Sequence, residues 1–168
     1  MKKHIKALAK EIMTKEVLTA FPETSLLEAS DKMIRKTYHG LPVIDRNGRV
    51  LGIVTQYDLV SKGTRLHLPT FMKLFDSFSK SDQSMVGIHA SVVDALSFVV
   101  RDVMNPDPLL VEENSPIEDI VKILSEHHRV DPLPVVDSQK FLKGIISRFD
   151  IIKFYADVLR KAKRMNKK

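Results

Sequence analysis

The sequence predicts an α+β chain of two similar repeats, each ordered strand–helix–strand–strand–helix, related by pseudo-two-fold symmetry, with a helical insert between them. Three observations lead there. Short blocks recur in the same order in both halves. Apolar residues change between helical and strand spacing at matching places in each copy. A half of this size would leave a sheet face bare, and two copies packed face to face would cover it.

The recurring blocks are specific. Ile12-Met13-Thr14 resembles Val103-Met104-Asn105, and Pro22-Glu23-Thr24-Ser25-Leu26 resembles Glu113-Asn114-Ser115-Pro116-Ile117. Leu41-Pro42-Val43-Ile44-Asp45 matches Leu133-Pro134-Val135-Val136-Asp137. Gly52-Ile53-Val54-Thr55-Gln56-Tyr57-Asp58 matches Gly144-Ile145-Ile146-Ser147-Arg148-Phe149-Asp150. The register slips by one residue between the first block and the third. Residues 1–62 therefore read as a first repeat with an N-terminal helix. Residues 63–98 read as the insert, and residues 99–168 as a second repeat with a basic tail.

Each copy begins with a short strand, Val17-Leu18-Thr19 in one and Leu109-Leu110-Val111 in the other. A helix follows, with Leu26, Ala29, Met33 and Thr37 on one face in the first copy and Ile117, Ile120, Val121 and Leu124 in the second. Pro116 suits a first helical turn, with Ser115 as its N-cap. Two strands come next. Leu41 to Asp45 leads into Arg46-Asn47-Gly48-Arg49, and Val50 to Thr55 returns. Asn-Gly between apolar runs signals a hairpin whose two turn residues both accept positive φ. Asp137-Ser138-Gln139-Lys140 turns the second copy. Pro42 and Pro134 each remove a ladder donor, which places both at strand starts. A closing helix carries Ile151, Tyr155, Val158 and Leu159 at helical spacing.

In the insert, Phe71, Leu74, Phe75 and Phe78 fall at helical spacing after Pro69-Thr70. Ser79 to Gly87 reads as a loop. Ser91-Val92-Val93-Asp94 reads as a capping box before Ala95, Leu96 and Val99. The apolar stripe either packs on its own core or serves as a contact surface for a second copy or a client.

The chain has 168 residues, 43% hydrophobic and 29% charged, with a net charge of +6 and no cysteine. This composition is that of an ordinary globular protein. Disulfides, thiolate metal sites and cysteine nucleophiles are excluded. No apolar run approaches the roughly 18 residues of a membrane span, and Lys6, Lys10 and Glu11 interrupt any signal-peptide core. The expected location is cytoplasmic. Much of the positive charge is terminal: Lys2, Lys3, Lys6 and Lys10 at one end, and Arg160, Lys161, Lys163, Arg164, Lys167 and Lys168 at the other. Such ends attract nucleic acid, acidic protein or anionic lipid, or are solvated and frayed.

The chemistry sits at Thr55-x-x-Asp58 and Ser147-x-x-Asp150, each after a strand and at the opening of a helix. A helix N-terminus offers unpaired N–H groups suited to a phosphate. The hydroxyl can bond a phosphate or sugar oxygen, and the carboxylate can accept the cis 2′- and 3′-hydroxyls of a ribose. The competing reading is a capping box that satisfies helix donors and binds nothing. Arg148, where the first copy has Gln56, could neutralise a phosphate. His128, Arg129 and His39, just before the proline-containing strands, are secondary candidates. His127-His128 diverge on a helix, and no carboxylate completes a metal set. No nucleophile–base–orienter set and no Walker loop is present, so an enzyme is not expected.

Met13-Thr14 and Val103-Met104, the paired Leu-Pro-Val-(Ile/Val)-Asp blocks and the paired Gly-Ile-(Val/Ile)-(Thr/Ser)-x-x-Asp blocks resemble the tandem CBS (cystathionine β-synthase) domain family, the Bateman module. The resemblance covers roughly residues 9–62 and 99–160. It implies that Asp58 and Asp150 hold a ribose, with Thr55 and Ser147 beside them. It places a purine near Leu41, Pro42 and Val43 or Leu133, Pro134 and Val135, and near the early strands at Thr19 and Val111. It implies a regulatory module with no catalytic cofactor. AMP foremost, or ATP, ADP or S-adenosylmethionine, would bind in the cleft between the repeats and signal through a homodimer to an unknown client. Typical modules join their repeats by a short linker, so the 63–98 insert is a departure. A ligand-free interaction or dimerisation module is the alternative. Nucleic-acid binding through the basic ends ranks last.

Overall fold

The computed structural model describes residues 7–36, 38–63 and 98–165. The helical stripe at Phe71 to Phe78, the loop at Ser79 to Gly87, the capping box at Ser91 to Asp94, Thr37, and the terminal lysines Lys2, Lys3, Lys6, Lys167 and Lys168 lie outside those residues.

Two compact units are formed, and they are not consecutive in sequence. The Asp58 unit takes in Leu18–Asp45 and Leu51–Asp107; the Asp150 unit takes in Met1–Val17, Arg46–Val50 and Pro108–Lys168. The segment that precedes each repeat packs on the other repeat's framework.

In the Asp150 unit this leader forms one helical turn, α1 (Ala9–Ile12). The Ala9 and Lys10 N–H groups donate to the carbonyls of Ser115 and Glu113, both at 2.9 Å, and Thr14 exchanges two backbone hydrogen bonds with Ile145, both at 2.9 Å. In the Asp58 unit the equivalent turn is Val100–Val103. There Val100 N–H donates to Thr24 (2.8 Å), Arg101 N–H to Pro22 (3.0 Å), and Asn105 exchanges bonds with Ile53 at 2.8 and 3.0 Å. Both turns are closed at the start by a carboxylate reaching back. Leu8 N–H donates to Glu11 Oε2 at 2.7 Å, and Val99 N–H to Asp102 Oδ2 at 2.9 Å.

The Asp58 unit adds α2 (Leu26–Lys36), a β1 (Gly40–Ile44)–β2 (Val50–Thr55) pair and α3 (Gln56–Gly63); the Val100–Val103 turn is α4. Leu26, Ala29 and Met33 of α2, Leu41 and Val43 of β1, Val54 of β2, and Val100 and Val103 share one core. The Asp150 unit has a three-stranded sheet in the order β3 (Val111–Glu112), β4 (Leu133–Val136), β5 (Leu142–Ile146), with α5 (Ile117–Glu126) and α6 (Arg148–Met165). β3 runs parallel to β4 and β5 antiparallel to it. Its core repeats the first position by position: Ile120 and Leu124, Leu133 and Val135, Ile146, with Ala9 of the leader in the place of Val100. Sequence spacing predicted both apolar faces because burial requires side chains stacked at helical or alternating intervals.

Four local expectations are corrected. Val17-Leu18-Thr19 forms no strand; the first copy keeps a single parallel bridge, Ala20 to Val43. Ser115 is not the N-cap of α5: Pro116 is, without a side-chain cap bond, while Ser115 C=O accepts the leader's Ala9 N–H. In the first copy it is Ser25 that caps, its Oγ accepting the Glu28 N–H at 3.2 Å. Pro42 is the third of five residues in β1 rather than its first. Its carbonyl accepts the Ala20 N–H, so its missing donor faces that edge, where no ladder continues, and not β2.

The turn is the fourth. Gly48 has φ +89°, but no positive φ occurs at Asn47, so the hairpin is not the two-residue kind with both positions left-handed. At the matching place in the second copy Lys140 has φ 66°. Its N–H donates to Asp137 C=O at 3.0 Å, and Asp137 Oδ1 accepts the N–H groups of Gln139 and Phe141, both at 3.0 Å. The two loops meet within the Asp150 unit, where Val50 N–H donates to Lys140 C=O and Leu142 N–H to Gly48 C=O, both at 3.0 Å.

Two glycines admit the leaders. A Cβ on Gly52 would lie 2.6 Å from Asn105 O, and one on Gly144 would lie 2.7 Å from Met13 Sδ and 2.8 Å from Thr14 O. Gly-Ile at the return strand and Met at the leader are thus two halves of one contact, made each time with the other copy's leader.

Candidate functional site

Each return strand ends at its hydroxyl residue or just before it, and a helix begins at the residue after that hydroxyl. Thr55 closes β2 and Asp58 lies in the first turn of α3; Ser147 follows β5 and Asp150 lies in the first turn of α6.

Both tetrads form a reciprocal cap. Asp58 Oδ2 accepts the Thr55 backbone N–H at 3.0 Å and the Thr55 hydroxyl at 2.6 Å, and Asp58 N–H donates to Thr55 Oγ1 at 3.2 Å. Asp150 Oδ2 accepts Ser147 N–H at 2.8 Å and the Ser147 hydroxyl at 2.7 Å, with Asp150 N–H donating to Ser147 Oγ at 3.4 Å. Thr55 and Asp58 are each 8% exposed, whereas Ser147 and Asp150 are half-buried. The Asp150 carboxylate has a further partner in the leader, the Thr14 hydroxyl, which donates to Oδ1 at 3.2 Å. Sequence reasoning named Thr14 as part of the repeat's opening block but not as a neighbour of Asp150, because the contact joins a leader to the opposite repeat.

The capping geometry leaves defined chemistry. An ionised carboxylate offers about four lone-pair positions, and two of them are used by the cap in each tetrad. The hydroxyl's proton is committed to the carboxylate, so in this arrangement Thr55 and Ser147 present an acceptor rather than a donor.

Arg148 is engaged by its own repeat. Its guanidinium donates to three carbonyls, Leu124 at 2.8 Å, Val130 at 3.0 Å and His127 at 3.2 Å, and lies 3.4 Å from Asp131 Oδ2. It closes the open carbonyl end of α5 and pins the loop beyond it, where a cation also meets the helix dipole. Gln56 holds the corresponding loop in the first copy, its Nε2 donating to Tyr38 C=O at 3.2 Å. Tyr38 and Val130 are matching positions, so the Gln/Arg difference changes how firmly one loop is held.

Leu41, Pro42, Val43, Val111, Leu133, Pro134 and Val135 are buried, and the aliphatic ones among them belong to the two cores. Thr19 is half-buried, and its carbonyl accepts the Lys32 ammonium at 3.2 Å. His128 and Arg129 are exposed beyond the end of α5. Among the described residues no group of three or more His, Asp or Glu is placed to hold a metal ion, and no helix is long and apolar enough to cross a membrane.

The closing helix α6 forms and carries Ile151, Tyr155, Val158 and Leu159 as the spacing predicts. No residue in it is fully buried. Ile151 packs against the core, but Phe149 is 71% exposed, Ile152 66% and Leu159 70%. The basic end is helical through Met165 rather than frayed, with Arg160, Lys161, Lys163 and Arg164 exposed.

The repeat, the leaders and the paired tetrads have a known counterpart: the CBS domain matches residues 9–64 and again residues 100–157. The chain belongs to the CBS domain family. Among relatives of this family, the CBS domain-containing protein CBSX1, chloroplastic, of Arabidopsis thaliana is 31% identical over 161 residues, covering 92% of this chain and 66% of that protein. CBSX2, chloroplastic, of the same plant is 31% identical over 135 residues, 79% of this chain and 56% of that protein. The chain thus spans about two thirds or less of the length of these relatives. Among solved structures, CBSX2 in complex with AMP superimposes with a TM-score of 0.65 at 29% identity, covering 90% of this chain and 97% of that one. The CBS-pair protein CBSX2 from Arabidopsis thaliana does so with a TM-score of 0.67 at 31% identity, covering 91% and 96%.

Proposed function

We propose that this CBS pair is a regulatory module, without catalysis of its own, that binds an adenine nucleotide, AMP foremost, at its strand-end tetrads. The observation that carries the reading is the duplicated Asp at a strand–helix junction: Asp58 and Asp150 are both pre-set by their own caps. A carboxylate so held loses little freedom when a ribose hydroxyl arrives, and carboxylate oxygens are acceptors for such hydroxyls. The likeness to a CBS pair solved with AMP supports the choice of nucleotide. Binding would favour one arrangement of the chain over another and so shift a population read by a partner protein.

The test is calorimetric titration of AMP, ADP, ATP and S-adenosylmethionine into the wild type, Asp58→Asn and Asp150→Asn, with circular dichroism to verify that each variant folds. AMP affinity at the altered tetrad is expected to fall about tenfold or more, as for loss of a charge-assisted hydrogen bond. Unchanged AMP binding in both folded variants would reject the site.

A second reading concerns the output. Phe149, Ile152, Tyr155 and Leu159 form an exposed apolar stripe along α6, and Tyr57 and Val60 are exposed on α3. Such stripes mark contact surfaces, and a second copy of the chain is the partner proposed. Light scattering should give a dimer for the wild type and a monomer for Ile152→Glu; equal masses would reject it.

A further inference from the structure

Resting on that nucleotide reading, we infer that Thr14 is a latch on the Asp150 carboxylate and sets how that site discriminates ribose from deoxyribose. Asp150 Oδ2 already receives two donors, the Ser147 N–H at 2.8 Å and the Ser147 hydroxyl at 2.7 Å. With two lone pairs per oxygen, Oδ2 is full. Oδ1 receives the Thr14 hydroxyl at 3.2 Å, which leaves one acceptor position. A ribose cis-diol brings two donors. One of them fits at once; the second needs Oδ1 to be released by Thr14. The Thr14 hydroxyl and the second sugar hydroxyl compete for one lone pair.

The leader's backbone is held independently of this contact, because Thr14 N–H and C=O both bond Ile145 at 2.9 Å. The side chain can therefore turn away while the leader stays docked. The matching residue of the other leader is Asn105, whose Oδ1 accepts the N–H of Asp107 at 3.1 Å.

The experiment compares AMP with 2′-deoxy-AMP by calorimetry in an Asp58→Asn background, so that the Asp150 site reports. Thr14→Val keeps the shape and removes the hydroxyl. It is expected to tighten AMP about fivefold, the worth of one ordinary hydrogen bond, while moving 2′-deoxy-AMP less than about twofold. Thr14→Ser, which keeps a donor, should behave as threonine does. A structural role alone would shift both ligands together, and that result, or no shift in either, overturns the latch while leaving the site intact. If AMP binds the wild type but neither Asp58→Asn chain, the latch falls; if it does not bind the wild type either, the nucleotide reading falls with it.

Discussion

The Asp58 and Asp150 units solve the same folding problem with different residues at matching places. Each has a leader turn, a capped helix after its return strand, and a polar side chain tying that strand's end to the loop before the Pro-containing strand. Yet Gln56 makes the tie in one unit through the Tyr38 carbonyl, and Arg148 makes it in the other with three carbonyls and a carboxylate. The left-handed turn residue is Gly48 in one copy and Lys140 in the other. Asp58 is nearly enclosed, and Asp150 is half-buried with Thr14 upon it. The backbone arrangement is what the copies share. Side chains drift wherever another group can satisfy the same backbone donor or acceptor.

The largest effect expected is at the glycines that admit the leaders. Gly52→Ala and Gly144→Ala should each cost about 1–3 kcal/mol in a urea melt, because backbone oxygens from Asn105 and Thr14 block the new methyl. A cost at only one of them would break the equivalence of the leaders. Arg148→Ala should cost about 1–2 kcal/mol by leaving acceptors unpaired, and Gln56→Ala less than about 1 kcal/mol. Equal losses would mean that the two ties are alike in strength.

Lys140→Gly should stabilise the chain by about 1 kcal/mol, since a β-carbon is disfavoured in the left-handed region, and Gly48→Lys should destabilise by a similar amount. The smallest effect is electrostatic. Lys143, 2.9 Å from Asp137, and then the Phe141 N–H hold the Asp137 carboxyl below the usual carboxylate range; Asp137 in turn raises Lys143. A lowered folded pKa gives stability that is present above the unfolded value and lost as pH falls through the folded one. A raised lysine contributes below its unfolded value and loses that as pH rises through the folded one. Wild type should therefore lose slightly more stability than Asp137→Asn on acidification below the ordinary carboxylate range. The difference should shrink in high salt, as for any exposed pair. Parallel pH curves would show that the turn's hydrogen bonds, not its charge, matter.

Much of this architecture was legible in the residues. Helix faces at Leu26, Ala29 and Met33 and at Ile117, Ile120 and Leu124 are set by local periodicity, and the tetrads recur intact. The carbonyls that Arg148 bonds were not legible, because every residue carries a carbonyl and nothing in the sequence marks which ones a guanidinium meets. The spacing of Ile151, Tyr155, Val158 and Leu159 marked a shared face of α6, but spacing does not reveal what covers a face.

The amino-acid order alone determined that the chain is two copies of one strand-and-helix unit, each with a hydroxyl–carboxylate pair where a strand gives way to a helix. Periodicity and capping are short-range, and adjacent residues carry them. Only the tertiary structure decided that each leader docks on the opposite repeat and that Thr14 meets Asp150. Those contacts are backbone ladders and single hydrogen bonds between segments far apart in the chain, and such bonds leave no period in the sequence to read.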